Sequence, residues 1–349
     1  MKKKDPLLKI EEHAISEGIW NSEAKDTSDI VFKSSIKFVR NLDGYVFAHK
    51  LNMKEKDKIN KILIENIENN DRLSDFTIYN LDSFSKVDRM IFFERNILMN
   101  GRTYGGVIIL SNDQKYYFIL CNDDHIEFVT LKPGLNFDDI FIYGKKIMHN
   151  IENKLDFAFS ESFGYLTSYP QNSGSGIEIF ITLHLPGLII SSKINEVVVE
   201  LEKQGIGVRG GWIDGYYEIY NKYSMGLAEK KIFEHTVSNF QKIVQYEREN
   251  RENEYNMNKS IIEDKVWRSY GVLLSSRLIS LYEAFDLISH VRLGIGLGII
   301  NYLTIKDINL LLYYIQDFHL RKRYNIEGEN LNLEELRAQF LRDYLKEVI

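Results

Sequence analysis

Apolar residues recur at helical spacing in several parts of the chain. The first part covers residues 55–68, where four apolar residues fall on one face of a helix: Ile59, Ile62, Leu63 and Ile67. The same spacing predicts a helix over residues 136–155 and a long one over residues 227–249. Farther along, residues 266–315 predict two or three apolar helices, and residues 332–348 predict a strongly charged one.

Short runs of β-branched and aromatic residues predict strands in the middle of the chain. Four of these runs lie between residues 89 and 131, over 90–93, 107–110, 116–120 and 126–129. The polar segment 111–114 separates two of them and predicts a hairpin turn. From Ile177 to Leu185 the residues alternate in strand period, which predicts a strand with one buried face, ended by Pro186.

The segment 246–259 is almost entirely polar and carries charges of both signs. It is the best candidate for a boundary between domains, and a solvated helix end is the alternative. We place the boundary between residues 255 and 256. Residues 1–255 are predicted to form an α+β domain, in which helices flank an antiparallel β-sheet, and residues 256–349 a small all-helical domain.

The overall composition narrows the class of protein. Of the 349 residues, 44% are hydrophobic and 27% are charged, which is the balance of a globular protein. The net charge of -6 argues against a broad nucleic-acid-binding surface. The sequence shows no apolar run of membrane-spanning length and no signal peptide after its basic start. We therefore expect a cytoplasmic protein with neither a nucleic-acid nor a membrane partner.

Cysteine and histidine are placed in a way that predicts no metal site. The one cysteine, Cys121, excludes an internal disulfide and a cysteine-rich metal centre. It ends a strongly apolar run, which is typical of a buried core residue. His125 and His184 have no partner residues at a metal-binding spacing.

Several motifs occur in an order that indicates a family. Residues 164–176 read GYLTSYPQNSGSG, residues 208–210 read VRG at the start of a glycine-rich loop, and residues 266–271 read VWRSYG. The first motif resembles the active-site loop of the guanidino kinases, and the third resembles a segment specific to the bacterial protein-arginine kinases. The likeness covers nearly the whole chain. It implies a guanidino-kinase catalytic fold followed by a helical domain that resembles a phosphoarginine-binding domain.

The resemblance implies a nucleotide site whose arginines are mostly replaced. The family surrounds the phosphates of ATP with a cage of arginines, whose planar, permanently charged groups suit phosphate oxygens. One of the corresponding positions here is still an arginine, Arg209, and Asn96 stands at a position where the family usually has histidine. The other four corresponding positions hold Ser35, Lys37, Glu127 and Glu178.

The catalytic positions implied by the resemblance keep their acids. Asp123 stands where the family has its general base, and Asp214 stands where a second glutamate clamps the guanidinium. Both side chains are one methylene shorter than glutamate, and a shift of about 1 Å can cost roughly 100-fold in rate. Tyr169 replaces the reactive cysteine of the family, and we expect its ring to fill the pocket.

Each of these residues also has an ordinary structural explanation. Asp123 and Asp124 between two strands are typical of a turn. The glycines of residues 205–215 are typical of a flexible loop, because glycine spacing alone is weak support for phosphate binding. Glu127 and Glu178 lie on the polar side of their predicted strands, where a carboxylate usually faces solvent.

The C-terminal helix contains a short match to the family's phosphoarginine pocket. Glu334 and Arg337 correspond to the acid and to one arginine of that pocket, whereas Leu333 replaces the other arginine. This implies an impaired phosphoarginine-binding site. A charged amphipathic helix explains the same residues about as well.

Three hypotheses follow. The first is a pseudokinase that acts as a binding or regulatory partner, either of an active paralogue or of Clp-type protease machinery in protein quality control. The second is a divergent kinase that uses ATP and Mg to phosphorylate arginines of protein substrates, with other cations such as Arg95 moved into the cage. The third is a structural protein of unrelated role. The resemblance also implies a homodimer.

Overall fold

A single antiparallel sheet of eight strands organises the larger part of the molecule. The computed structural model describes residues 18, 22, 27–98, 105–210, 213, 215–326 and 332–348. From one edge to the other the strand order is β2-β3-β4-β5-β1-β8-β10-β9, and β6 and β7 form a small separate hairpin. The strands are β1 Val31–Arg40, β2 Phe76–Asn80, β3 Val107–Ser111, β4 Tyr116–Leu120, β5 Ile126–Pro133, β6 Phe159–Ser160, β7 Gly164–Tyr165, β8 Ile177–His184, β9 Ile206–Gly210 and β10 Tyr216–Asn221.

The helices divide between the two sides of this sheet. They are α1 Met53–Glu68, α2 Lys86–Glu94, α3 Phe137–Glu152, α4 Pro186–Ile190, α5 Ile194–Lys203, α6 Glu229–Ser275, α7 Leu281–Gly296, α8 Ile305–Tyr314, α9 Asp317–Arg323 and α10 Leu333–Glu347. One sheet face packs on α1, α3 and the first part of α6 in a continuous apolar core. Side chains of the other face join a second core with α2 and the C-terminal helices.

The long helix α6 belongs to both cores. Its first part contributes Phe240 to the core under the sheet, and its last part contributes Val266 to the core of the C-terminal helices. It runs through the polar segment 246–259, and its backbone departs from helical geometry at Asn258, where φ is -124° and ψ is 31°. The segment is therefore helical, and the division between residues 255 and 256 stays a prediction.

Most of the predicted elements are confirmed. The helices predicted over 55–68, 136–155, 266–315 and 332–348 are present, as are the strands over 107–110, 116–120 and 126–129. The α+β class with an antiparallel sheet and a following helical region is also confirmed. The helix predicted to end at residue 249 continues to Ser275. No helix in the described ranges is long and apolar enough to span a bilayer.

Two strand predictions were wrong. Residues 90–93 lie in α2. A capping box between Ser85 and Asp88 marks the N-terminus of this helix, and this signal outweighed the local preference for strand. Strand β8 was expected to bury one face, but both faces are largely buried, because apolar residues of the two cores cover it on opposite sides. Leu185 lies just beyond this strand, which ends at His184.

Candidate active site

A cleft of about 340 Å³ lies on the sheet face opposite α1 and α3. Its floor comes from the central strands β1, β4, β5, β8 and β10, and its wall includes the end of α2. The volume lies at the lower end of the range for small-molecule sites. Among the described lining residues, three are cationic and four are acidic: Lys33, Lys37, Arg209, Asp123, Glu127, Glu178 and Glu218.

The centre of the cleft is occupied by a carboxylate that two cations share. Lys37 on β1 lies directly opposite Glu178 on β8, and Lys37 Nζ is 2.6 Å from Glu178 Oε2. Arg209 on β9 reaches the other oxygen, with Nη2 at 2.6 Å from Glu178 Oε1. Both contacts are at the short end for charge-assisted hydrogen bonds. The antiparallel register therefore joins the two cations through Glu178.

Protonation in this group follows from the pairing. Burial opposes charge on Glu178, but Lys37 and Arg209 outweigh it and hold its pKa below the usual value. Burial likewise disfavours the charged form of Lys37, and the carboxylates of Glu178 and Glu127 reverse that effect and raise its pKa. All three members are therefore charged at neutral pH, and their charges are compensated inside the protein.

Two more glutamates complete the network. Glu127 on β5 lies 3.9 Å from Lys37 Nζ and accepts a hydrogen bond of 3.0 Å from Asn122 Nδ2. Glu218 on β10 lies directly opposite Arg209 and 3.1 Å from its Nη1. Burial raises the pKa of both glutamates. Among the described residues that line the cleft, four carboxylates thus accompany three cations.

The expectation that the two glutamates of the cage face solvent was wrong. Glu127 is 8% exposed and Glu178 is 7% exposed. Both lie on the polar side of their strands, as the sequence indicates, but that side forms the cleft. Burial of such carboxylates requires partners, and Lys37 supplies one to each of them.

Asp123 lies at the edge of the cleft beside the residue that replaces the family cysteine. The Tyr169 hydroxyl lies near the Asp123 carboxylate. Burial and the neighbouring Asp124 raise the pKa of Asp123, and Lys37 and the Tyr169 hydroxyl partly oppose them. The Tyr169 side chain is 43% exposed and does not line the cleft, so its ring does not fill the pocket as expected.

Asp124 fixes the position of the loop that carries Tyr169. It is buried, and its Oδ1 accepts hydrogen bonds from Asn41 Nδ2 at 2.6 Å and from the Ser168 amide at 2.7 Å. The Ser168 hydroxyl donates in turn to the Asp123 carbonyl oxygen at 2.7 Å. The Asp-Asp pair thus has one member at the cleft and one that holds the neighbouring loop.

The base of this loop requires glycine. Tyr165 and Gly174 exchange two backbone hydrogen bonds of 2.8 Å and 3.0 Å. Gly164 has φ of 72°, and a Cβ atom there would lie 2.4 Å from the Gly174 carbonyl oxygen. A side chain at residue 164 would therefore open the loop.

The remaining predicted positions separate into three groups. Asn96 lines the cleft at the end of α2, together with Lys37, Glu127, Glu178 and Arg209. Ser35 is buried on β1 two residues before Lys37 but does not line the cleft. Asp214 lies outside the described residues.

Arg95 has not moved into the cage. It is buried, and it donates to His319 Nε2 at 3.1 Å and to Gln114 Oε1 at 2.7 Å. The hypothesis that this arginine replaces a lost cation is therefore wrong. Its guanidinium instead joins the sheet domain to helix α9.

Arg337 in the C-terminal domain is engaged by the protein itself. It is buried, donates to the carbonyl oxygens of Ile315 and Ile279, and pairs with Asp317 at 2.5 Å. Glu334 is exposed on the same helix, and its carbonyl oxygen accepts from the Ile279 amide. The phosphoarginine-binding role of Glu334 and Arg337 stays a prediction.

Contacts within the protein account for the positions of Cys121, His125 and His184. Cys121 is fully buried, which confirms it as a core residue. His125 accepts from the Leu42 amide through Nδ1, and His184 contacts Ser289 and Arg251. Within the described ranges, no group of three or more His, Cys, Asp or Glu side chains is arranged to hold a metal ion.

Sequence reasoning missed three lining residues of the cleft that carry a charged or an amide side chain. Lys33, Asn122 and Glu218 line it without having been predicted as site residues. A signal was available for Lys33, because it precedes Lys37 by four residues on the same strand and therefore shares its face. No comparable signal places Glu218, whose role depends on the pairing of β10 with β9.

Comparisons with known proteins agree with this architecture. Residues 58–250 match the family described as ATP:guanido phosphotransferase, C-terminal catalytic domain. Residues 259–349 match the family described as protein-arginine kinase McsB C-terminal domain. The chain is 31% identical to a protein-arginine kinase of Bacillus cereus, over 97% of this chain and 98% of that protein. It is 29% identical to a protein-arginine kinase of Syntrophomonas wolfei, over 93% and 94% of the two chains.

Solved structures show the same fold. The duplicated taurocyamine kinase from Schistosoma mansoni, with bound transition-state-analogue components, matches with a TM-score of 0.59 at 18% identity. The match covers 72% of this chain and 39% of that duplicated one.

Proposed function

Because the chain belongs to the ATP:guanido phosphotransferases and, among them, to the protein-arginine kinases, we propose that it is a pseudokinase of this family. It keeps the fold and the cleft but does not bind ATP and Mg tightly enough for phosphoryl transfer. The observation that carries this proposal is the shared carboxylate, since Glu178 takes up both Lys37 and Arg209 at 2.6 Å. These are two of the cations that a triphosphate would need.

Electrostatic magnitudes support the proposal. A hydrogen bond to a charged group contributes roughly 1.5–3 kcal/mol. The three arginine positions that now hold no cation, Ser35, Glu127 and Glu178, therefore remove several kcal/mol of nucleotide affinity even if the losses are not additive. Glu127 and Glu178 also place negative charge where the family places positive charge. A single arginine at the transition state can be worth roughly 10³–10⁵ in rate, and Arg209 is committed to two carboxylates.

The fold and the cleft that this chain keeps suggest a role in binding other proteins. We propose that the protein binds an active paralogue or arginine-containing client proteins, and that this binding links it to protease machinery in protein quality control. A homodimer is part of the same proposal. Support comes from the family membership and from a folded C-terminal domain whose buried arginine, Arg337, is held by three groups, the carbonyl oxygens of Ile315 and Ile279 and the Asp317 carboxylate.

One observation favours a second candidate, a divergent active protein-arginine kinase. Asp123 remains at the edge of the cleft, and burial raises its pKa above the ordinary aspartate value. A carboxylate with a raised pKa is a better general base at neutral pH. In this case a protein arginine would enter beside Tyr169, and ATP would have to displace Glu178 from Lys37.

Two measurements on the purified chain separate the candidates. Calorimetry with Mg-ATP up to millimolar concentration should give no micromolar binding; a micromolar Kd would refute the pseudokinase. A phosphotransfer assay with an arginine-rich acceptor protein, read by mass spectrometry beside an active relative, should give no phosphoarginine. If product forms and disappears in Asp123→Asn, the second candidate is correct; product that persists in Asp123→Asn would come from another site or a contaminant.

A further inference from the structure

Asn96 reaches the cleft because of the way helix α2 ends. The Asn96 amide donates to the Phe93 carbonyl oxygen at 2.9 Å, and the Ile97 amide donates to the Phe92 carbonyl oxygen at 2.9 Å. This pair of bonds is a Schellman motif, which needs a left-handed residue at C′, the position directly after the C-cap residue Arg95. Asn96 has φ of 55°, and asparagine tolerates this conformation better than most residues. The position of Asn96 is therefore tied to the last turn of α2.

The last turn of α2 is bound to helix α9 of the C-terminal domain. The Glu94 carboxylate accepts from the amides of Phe318 and His319 at 2.9 Å and 3.1 Å. It also lies 2.7 Å from His319 Nδ1. These contacts satisfy amide groups in the first turn of α9 that have no partner within the helix.

His319 joins this carboxylate to the next residue of the chain. Arg95 Nε–H donates to His319 Nε2 at 3.1 Å, so Nε2 must act as an acceptor. A neutral ring then carries its proton on Nδ1 and donates it to Glu94. Burial lowers the pKa of His319 well below the usual value, which agrees with a neutral ring. The imidazole thus fixes Glu94 and Arg95 relative to each other.

Three further contacts hold α2 in place. Gln316 Nε2 donates to the Glu94 carbonyl oxygen at 3.3 Å, and Lys322 Nζ pairs with Asp88 at 3.1 Å one turn and a half earlier on α2. Arg95 also donates to Gln114 at the turn between β3 and β4. Helix α9 therefore holds α2 along its length and at its end.

We propose that the C-terminal domain sets the position of Asn96, and with it one wall of the cleft, through the bridge formed by Glu94, Arg95 and His319. His319 is a positioning residue in this bridge, since it does not line the cleft itself. A change in the C-terminal domain that shifts α9 would shift the end of α2 and alter the cleft. This inference goes beyond the proposed function, because it holds whether or not the cleft binds nucleotide.

A cysteine at residue 96 tests the proposal directly. In Asn96→Cys the rate of reaction with a thiol-specific disulfide reagent reports how residue 96 is presented. The native Cys121 does not interfere, because it is fully buried and burial raises the pKa of its thiol to about 12. The strain of a cysteine at φ of 55° is common to all variants compared.

The bridge is then broken in the Asn96→Cys background by His319→Gln. We expect the modification rate to change by roughly five- to tenfold, because opening of the α2 end has a lower free energy than global unfolding. Lys322→Met, which removes the second contact to α2, should change the rate in the same direction by a smaller factor. This variant carries the test if His319→Gln does not fold.

A matched control removes stability from the C-terminal domain without touching α2. Leu345→Ala truncates a fully buried residue of α10 in the same domain core. If His319→Gln and Lys322→Met leave the rate at residue 96 unchanged, the proposal is wrong. It is also wrong if Leu345→Ala, at equal loss of stability, changes that rate as much as His319→Gln does.

Discussion

Replacing Glu178 by glutamine should convert the cleft into a better site for nucleotide. The substitution keeps the shape of the side chain and an oxygen that can accept a hydrogen bond, but it removes the negative charge that Lys37 and Arg209 share. Both cations would remain in place, since Glu127 still lies 3.9 Å from Lys37 and Glu218 lies 3.1 Å from Arg209.

The size of the effect follows from the geometry. A phosphate oxygen bound to Lys37 on the side away from Glu178 would lie about 5 Å from the Glu178 carboxylate, because Lys37 Nζ is itself 2.6 Å from it. At an effective dielectric constant of about 20, two unit charges at that distance repel by about 3 kcal/mol. Removing this repulsion should strengthen Mg-ATP binding by about 100-fold.

Fluorescence anisotropy with a labelled ATP analogue, at low and at physiological ionic strength, would measure the change. Glu202→Gln is the matched control, because Glu202 also pairs with a lysine, Lys222 at 3.1 Å, but lies on an exposed surface. Glu202→Gln should leave the affinity unchanged. Equal affinity of Glu178→Gln and the parent, with both folded by circular dichroism, would refute the electrostatic explanation of the missing nucleotide affinity.

Three further predictions concern stability. Asp124→Ala should lower the free energy of unfolding by about 2–3 kcal/mol in urea titrations, because it leaves the buried Asn41 amide group and the half-buried Ser168 amide without their acceptor. A loss below about 0.5 kcal/mol, as is usual for surface sites, would argue against the loop-holding role. Gly144→Ala should lower the free energy of unfolding by about 1–3 kcal/mol, because the added Cβ would lie 2.4 Å from Phe38. Gly271→Ala, in open space on α6, should raise it by about 0.5–1 kcal/mol. Equal effects of the two substitutions in thermal melts would contradict the packing of α3 on β1. Burial raises the pKa of Glu94 to about 8 from 4.5, so between these pH values the folded protein keeps a proton that the unfolded chain releases. The free energy of unfolding should therefore fall as pH rises through this range, and Glu94→Gln should flatten the fall. Identical pH profiles of the two proteins would contradict this prediction.

Sequence patterns predicted four of the eight strands of the large sheet, β3, β4, β5 and β8, because each is a short apolar run or an alternating segment. The other four strands, β1, β2, β9 and β10, were not predicted. The run 90–93 misled because its residues favour strand, and the decisive signal was the capping box that starts five residues earlier, at Ser85. The two buried faces of β8 were not predictable from alternation, since the second cover includes Arg251 on α6 and Ser289 on α7, which lie 67 and 105 residues from His184 in the chain.

The candidate site was predictable as a set of positions but not as a network. The resemblance placed Lys37, Glu127, Glu178, Asn96 and Arg209 together, and all five line the cleft. Their pairing could not be predicted, because it depends on register: Lys37 faces Glu178 across two strands that are 140 residues apart in the chain, and a slip of one residue would place them on opposite faces.

The chemical type of a side chain did not by itself predict where that side chain lies. Arg95 is a cation close in sequence to the cleft, yet its helix turns it toward His319 and away from the floor. Tyr169 has a ring large enough to fill a pocket, yet the loop held by Asp124 leaves it at the rim, beside Asp123.

Helix α6 gives the molecule a particular folding behaviour. It spans 47 residues, which corresponds to about 70 Å of helix with a kink at Asn258, and it supplies buried residues to both hydrophobic cores. Each core holds the part of α6 that packs in it, so unfolding of either core removes the support of that part of the helix. Calorimetry should therefore record one transition for the whole chain, and a fragment cut within the polar middle of the helix should be less stable than the corresponding half of the intact protein.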